Sequence, residues 1–341
     1  MDAPAGRLKT WSFDAYVVGI ALAGNGRAFG VGLGDGTFRI VDADDPAPRP
    51  IPVHDGACLS VCADIDADAF LSGGDDGRLV RIAGSGEVGE LAAIKGRWID
   101  HVAAHAGSGV RAYAAGKDVY VRDRKGSEPR RLVHETSVGG LAINPKGRRL
   151  AATHYNGVSL WWLAAQDAKP QRLEWKGSHL AVAWSPDGDY VITAMQENAL
   201  HGWRLSDGQH MRMQGYGAKV RSLGFMRKGA FLATGGADTV ICWPFTGGGP
   251  MGKAPAEFGG GVAGAGAGTP VTAVACNPKR DLIAAGFGNG AVILGQPGAP
   301  RSVTVAGARR GAVTALAWNG AGDRLIAGDE TGETVLADFR D

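Results

Sequence analysis

The chain lacks a membrane-length apolar run. No stretch of its 341 residues reaches the roughly 18 apolar residues that a spanning helix needs, so no membrane association is expected. The first residues, MDAPAGRLKTWSFDAY, carry no apolar segment between a basic start and a cleavage site, so no secretory signal is expected either. Cysteine is scarce. Cys58, Cys62, Cys242 and Cys276 lie inside apolar runs, as buried free thiols do, and fit a reducing cytoplasm. On a regular strand Cys58 and Cys62 would share a face about 13 Å apart, too far for a disulfide. A metal pair there would need further ligands that the sequence does not place nearby. Net charge is nearly absent: 36 basic against 34 acidic residues leaves +2, which gives no field to gather nucleic acid or an anionic surface.

What is abundant is glycine, 55 residues spread along the chain, as many tight turns require. The stretch 220–243, VRSLGFMRKGAFLATGGADTVICW, shows the plan: three short apolar runs cut by Arg227-Lys228-Gly229 and Gly236-Ala237-Asp238. Runs this short, bounded by Gly and Asp, read as strands. The unit recurs. Aligned on its opening residue, the anchors are Val17, Cys58, Ile99, Val138, His179, Val220, Val271 and Val313, at intervals of 41, 41, 39, 41, 41, 51 and 42. A period near 40 residues signals a propeller or solenoid. Three places after each anchor stands a β-branched residue or Leu, and one place later always a small residue, from Ala21 to Ala317. Small residues suit strands that crowd toward an axis.

Each opening strand is followed by a Gly-, Asp-, Asn- or Pro-bearing turn, and about ten residues later by a second, such as GDG at 34–36, DDG at 75–77 or GNG at 288–290. Third strands follow, then weaker, Pro-flanked fourth strands suited to an outer edge, such as PRRLVHE (129–135) and PRSVTV (300–305). The eighth unit has no room for a fourth strand before Asp341. A spare segment, RLKTWSF (7–13), precedes the first anchor and is expected to complete the last sheet and close the ring. The Gly- and Ala-rich span 246–268 accounts for the one long interval and reads as a flexible loop between units 6 and 7.

The segments LAVAWSPDG (180–188), LAINPKG (141–147), LSGGDDGRLVRI (71–82) and LATGGADTVICW (232–243) resemble the WD-repeat (WD40) β-propeller family, and the resemblance covers essentially all of 7–341. It implies an all-β propeller of four-stranded blades, eight on these anchors, with seven, the commoner family number, as the alternative. Two family features are missing. No Trp-Asp closes a third strand, because Trp161, Trp162, Trp203 and Trp243 are followed by Trp, Leu, Arg and Pro, and no Gly-His stands where expected. The hydrogen-bond network built on those residues is therefore not implied here.

Motifs for chemistry are few. The Gly-rich strings at 32–36 and 286–290 precede strands, not the helix a phosphate loop needs, and read as turns. Ser185 lacks the Gly-x-Ser-x-Gly frame, and neither His-Glu-x-x-His nor Asp-x-Asp-x-Asp-Gly occurs. No metal or cofactor is expected. His101 stands where seven units place Gly, Ser or Ala, and is a candidate for the wall of the central channel. The competing reading is a hydrogen-bonded core histidine, which also serves for His179. Around the anchors the bulky or charged residues are Tyr16, Arg97, Trp98, Asp100, Lys219 and Arg221, a composition found at binding hot spots. Here too a structural alternative stands: Trp98 packed between sheets and the charges merely solvated.

The expectation is a cytoplasmic, monomeric, non-catalytic interaction scaffold that holds a protein or peptide on one face or on the rim. The alternative is a small-molecule, metal or catalytic site at the channel, around Asp100 and His101. Interleaved acids such as Asp75, Asp76, Glu197 and Asp238 argue against nucleic acid as the partner.

Overall fold

The computed structural model describes residues 7–42, 47–126, 128–165, 167, 169–261, 268–309 and 311–340. Among them there is no helix. Every unit is an antiparallel meander that starts near its anchor, as in unit 7: Val271–Cys276, Ile283–Phe287, Val292–Gly295 and Val303–Ala306.

Hydrogen bonds join the strands into seven sheets, six of four strands and one of six. The six-stranded sheet carries the units anchored at Val138 and His179. Its two long strands, Arg149–Trp162 and Gln171–Trp184, each serve for two. The first doubles back at Tyr155–Gly157, with Leu163 N bonded to Arg148 O at 2.9 Å. The second passes from the outer strand of unit 4 into the inner strand of unit 5. Counted as continuous sheets the propeller has seven members. Counted as inner strands it has eight, each packed on the next around a closed ring. The last sheet is completed by Arg7–Ser12, which pairs residue for residue with Glu333–Asp338.

No single core exists. Eight apolar clusters each lie between two consecutive units. They are thin near the axis, where second-strand glycines admit the next unit's anchor. A Cβ on Gly328 would sit 2.7 Å from a Val17 methyl, and one on Gly286 would sit 2.4 Å from Val313. Glycine therefore serves close approach as well as turns.

A β-bulge follows the anchor in units 1, 2, 5, 7 and 8. It overturns one sequence expectation. Cys58 and Cys62 do not share a face: Cys58 lies toward Gly32 of unit 1, whereas the Cys62 thiol bonds the Ala104 backbone of unit 3. All four cysteines are free, and burial pushes their thiols up, to about 11 for Cys58 and about 12 for the others. The span 246–268 is likewise not one flexible loop. It contains the strand Ala256–Phe258, and the Lys253 ammonium bonds the carbonyls of Thr246, Gly247 and Gly249. Residues 262–267 lie outside the described residues.

Hydrogen-bonded side chains do tie the loops before the anchors to the strands, despite the missing family dipeptides. In unit 2, His54 lies 3.0 Å from Asp76 and 2.9 Å from Ser72. In unit 4, Trp161 donates to His134 (3.1 Å). In unit 6 a tyrosine takes the histidine's place: Trp243 donates to Tyr216 Oη (2.6 Å), itself 2.8 Å from Thr234.

Two variants test the closure. Deleting residues 1–13 removes the closing strand together with Trp11 and the buried Phe13 from the wedge between units 8 and 1. The melting temperature should fall by at least ~5 °C and oligomers should appear in gel filtration. A monomer with unchanged melting would refute the closure. Gly328→Ala should cost roughly 1–3 kcal/mol in denaturant titrations, because the β-branched Val17 cannot yield easily.

Candidate functional site

The second turn of each unit is hydrogen-bonded to the loop that enters its first strand, as in Gly34 N to Tyr16 O (2.8 Å), Ala218 N to Gly236 O (2.8 Å) and Glu330 N to Ala312 O (3.0 Å). These two sets of loops form one face of the ring, the anchor face. Three aromatics project from it: Trp98, Tyr155 and Tyr16, at 63%, 50% and 47% exposure. Trp98 follows a tight turn in which Arg97 N bonds Ile94 O (3.2 Å) and Gly96 takes φ +74°. The turn leaves the indole in water, so Trp98 is not packed between sheets.

The candidate residues fall into two groups. Tyr16, Lys219 and Arg221 line one cavity of about 360 Å³ that spans units 6, 7, 8 and 1, with Pro270, Thr272, Thr314 and Glu330. Lys219 donates to Gln196 (2.9 Å). Arg221 is exposed and has no side-chain partner among the described residues. Arg97, Trp98, Asp100 and His101 belong to unit 3 and lie outside that cavity. Arg97 is held by the scaffold: its guanidinium meets buried Asp118 at 2.8 Å, as does that of Arg131. Burial opposes the Asp118 charge, but the two guanidinium groups outweigh it and hold the carboxyl below its usual range.

Asp100 stands one place after its anchor, where units 7 and 8 place threonine hydroxyls that tie adjacent sheets together, and His101 follows it. Thr272 Oγ1 donates to Val313 O and Thr314 Oγ1 to Val17 O, both at 2.6 Å. The His101 ring makes the corresponding bond to the Val138 backbone, and burial lowers its pKa against the pull of Asp100. Burial raises the Asp100 pKa against His101. The pair is driven toward neutrality. Asp100 Oδ1 is buried and has no hydrogen-bond partner among the described residues.

Sequence reasoning missed two features. The first is Tyr155, which opens the second turn of unit 4, Tyr155-Asn156-Gly157, where an aromatic in a turn is itself the signal. The second is an aromatic stack at the junction of units 4 and 5. His201 is fully buried, 3.9 Å from Trp175 and 5.3 Å from His210 between ring centroids, with Trp203 at its edge. Neither ring nitrogen has a hydrogen-bond partner among the described residues. His179, beside it, is satisfied by Thr193 and Trp175 O.

No family model matches the chain. Among curated proteins, "WD repeat-containing protein 55" of Homo sapiens is 33% identical over 121 residues, 33% of this chain and 31% of that protein. "Autophagy-related protein 16" of Arabidopsis thaliana is 21% identical over 309 residues, 87% of this chain and 59% of that protein. The chain thus spans less than two thirds of either relative. A crystal structure of the computationally designed Ika8 protein, 18% identical, superimposes with a TM-score of 0.75 over 96% of this chain and 97% of that one, a likeness of fold. The repeat pattern and the closed ring make the chain a β-propeller, and about a third of it is similar to a WD-repeat protein.

His201 offers a test of the acid limb. Its folded pKa is lowered to about 3 from an ordinary 6.5, by burial first and then by His210, His179 and Arg212. The unfolded chain therefore takes up a proton below about pH 6.5 that the native state refuses, and stability falls as pH drops from there toward 3. His201→Leu should leave stability at pH 7 unchanged or higher, and should recover roughly 2–3 kcal/mol relative to wild type near about pH 4.5. Denaturant titrations at the two pH values check this. An equal slope in both proteins would refute it.

Proposed function

We propose that the chain is a non-catalytic interaction scaffold whose anchor face holds a protein or peptide partner. The observation that carries this reading is the exposure of Trp98, Tyr155 and Tyr16 on that one face, which also holds Arg221, unpaired among the described residues, and a cavity of peptide side-chain size lined by Tyr16 and Arg221. Exposed aromatics and arginine form the anchors of interfaces. The WD-repeat fold supports an interaction role in general. In this reading the protein is a cytoplasmic monomer. Trp98 is the principal anchor, Arg221 and Lys219 receive acidic or carbonyl groups, and Arg97 acts only by fixing the loop that carries Trp98.

A second reading rests on Asp100. A buried carboxyl oxygen without a partner is costly unless a ligand or water satisfies it. A small ligand at the channel, presenting a hydrogen-bond donor, would do so.

The test compares wild type with the Trp98→Ala/Arg221→Glu double variant in affinity capture from native lysate, with circular dichroism as the control for folding. At least a tenfold loss of a recovered protein is expected, from about 1.4 kcal/mol per decade. Equal recovery by a folded variant would sink the scaffold reading. Thermal stabilisation by a metabolite that is lost in Asp100→Asn would favour the channel instead.

A further inference from the structure

The opposite face of the ring holds a different cavity. It lies between units 7 and 8, encloses about 770 Å³, and is formed where the short fourth strand Val303–Ala306 and the loop 296–302 arch over the widening gap between two sheets. That volume falls inside the roughly 300–1,000 Å³ range of small-ligand sites. Its floor is apolar: Leu294 and Val303 from unit 7, and Trp318 and Phe339 from unit 8, the two rings 5.8 Å apart. Trp318 Nε1 already donates to Ala275 O at 3.0 Å, so only its hydrocarbon surface is open to a ligand. At the rim stand Arg280 and Arg301, both exposed and both without an ion pair among the described residues. The nearby acids do not quench them. Asp323 accepts from Asn319, Asp338 pairs with Arg340 and Arg324, and Asp281, though adjacent in sequence to Arg280, forms no ion pair with it.

We propose that this cavity binds a small amphipathic oxyanion, its apolar body on Trp318 and Phe339 and its carboxylate or phosphate head at Arg280 and Arg301. The apolar surface supplies the drive for the body, and the planar guanidinium fork matches either head. The site is independent of the anchor face, so a variant that abolishes partner capture there leaves it intact.

Isothermal titration calorimetry of the full chain with decanoate, decyl phosphate and decanol, each below its aggregation concentration, tests this. At least one anion should bind saturably at one per chain, and decanol at least about tenfold more weakly, since charge-assisted hydrogen bonds are lost. The relative strength of the two anions tells which head the site prefers. Arg280→Gln/Arg301→Gln touches only exposed side chains and should reduce the anion to the level of decanol while the melting temperature holds. Leu294→Trp should abolish binding of all three. Absence of saturable binding by either anion, binding of decanol equal to theirs, or binding unchanged in the arginine variant would each overturn the proposal. So would displacement of the bound anion by an acidic, leucine-rich peptide that binds more tightly, which would make the cavity a peptide groove.

Discussion

The structure depends on one packing constraint: flat sheets arranged around an axis must nearly touch at the centre and splay at the rim. Near the axis there is no room for a second side chain. Val17 therefore enters against Gly328, and Val313 against Gly286. Farther out the gap must be filled by bulk, and rings such as Phe29, Phe38, Phe70, Tyr113 and Phe287 are fully buried there. Each apolar wedge belongs to two neighbours, so no unit is stable alone and the first and last must meet. The pairing of Arg7–Ser12 with Glu333–Asp338 is the covalent order of the chain put to that use.

The same crowding decides what the polar residues do. Carbonyls at the inner edge are shielded from water by the next sheet and need a donor. The hydroxyls of Thr272 and Thr314 and the ring of His101 supply it in three units. Between units 2 and 3, buried Asp64 is gripped in bidentate fashion by Arg111, at 2.6 and 2.8 Å, with Arg81 at 3.2 Å. Such a pair contributes little net stability against its desolvation, but removing one partner would strand a buried charge. Most histidines are likewise held neutral by burial, and His54, His101, His134 and His179 also serve as hydrogen-bonded struts. His54, His101, His134, His179 and His201 all have lowered pKa values, with burial the largest cause in each.

Local features were legible in the sequence and non-local ones were not. Turns announce themselves within four residues, so the eight anchors, the second turns and the spare strand at 7–13 could be read directly. A bulge depends on the partner strand, so the opposite facing of Cys58 and Cys62 could not. The unbroken run through Tyr155–Gly157 is a matter of hydrogen bonding to residues 174–178, which the Asn-Gly signal does not reveal. Among the site candidates, residue type pointed to Trp98 and Arg97 alike. Only the position of Asp118, 21 residues downstream of Arg97, distinguishes the exposed indole from the engaged guanidinium. The histidine stack around His201 and the cavity over Trp318 arise between units and have no signature within either.

Partner accounting therefore separates structure from function better than residue type does. Where the ring needs a group, that group is hydrogen-bonded and part-buried, as Arg97, His101 and Tyr216 are. Among the groups of the described residues that the ring leaves idle are the indole of Trp98, the guanidinium of Arg221 and one Asp100 carboxyl oxygen on the anchor face, and Arg280 and Arg301 on the opposite one. An exposed indole gives up the stabilisation that its burial would bring, and an orphaned carboxyl oxygen adds a desolvation cost. Neither is explained by the closure of the ring. On the anchor face these groups sit on loops, which can change without disturbing the meander beneath, and this is where a repeat scaffold can carry binding chemistry at least cost to its fold.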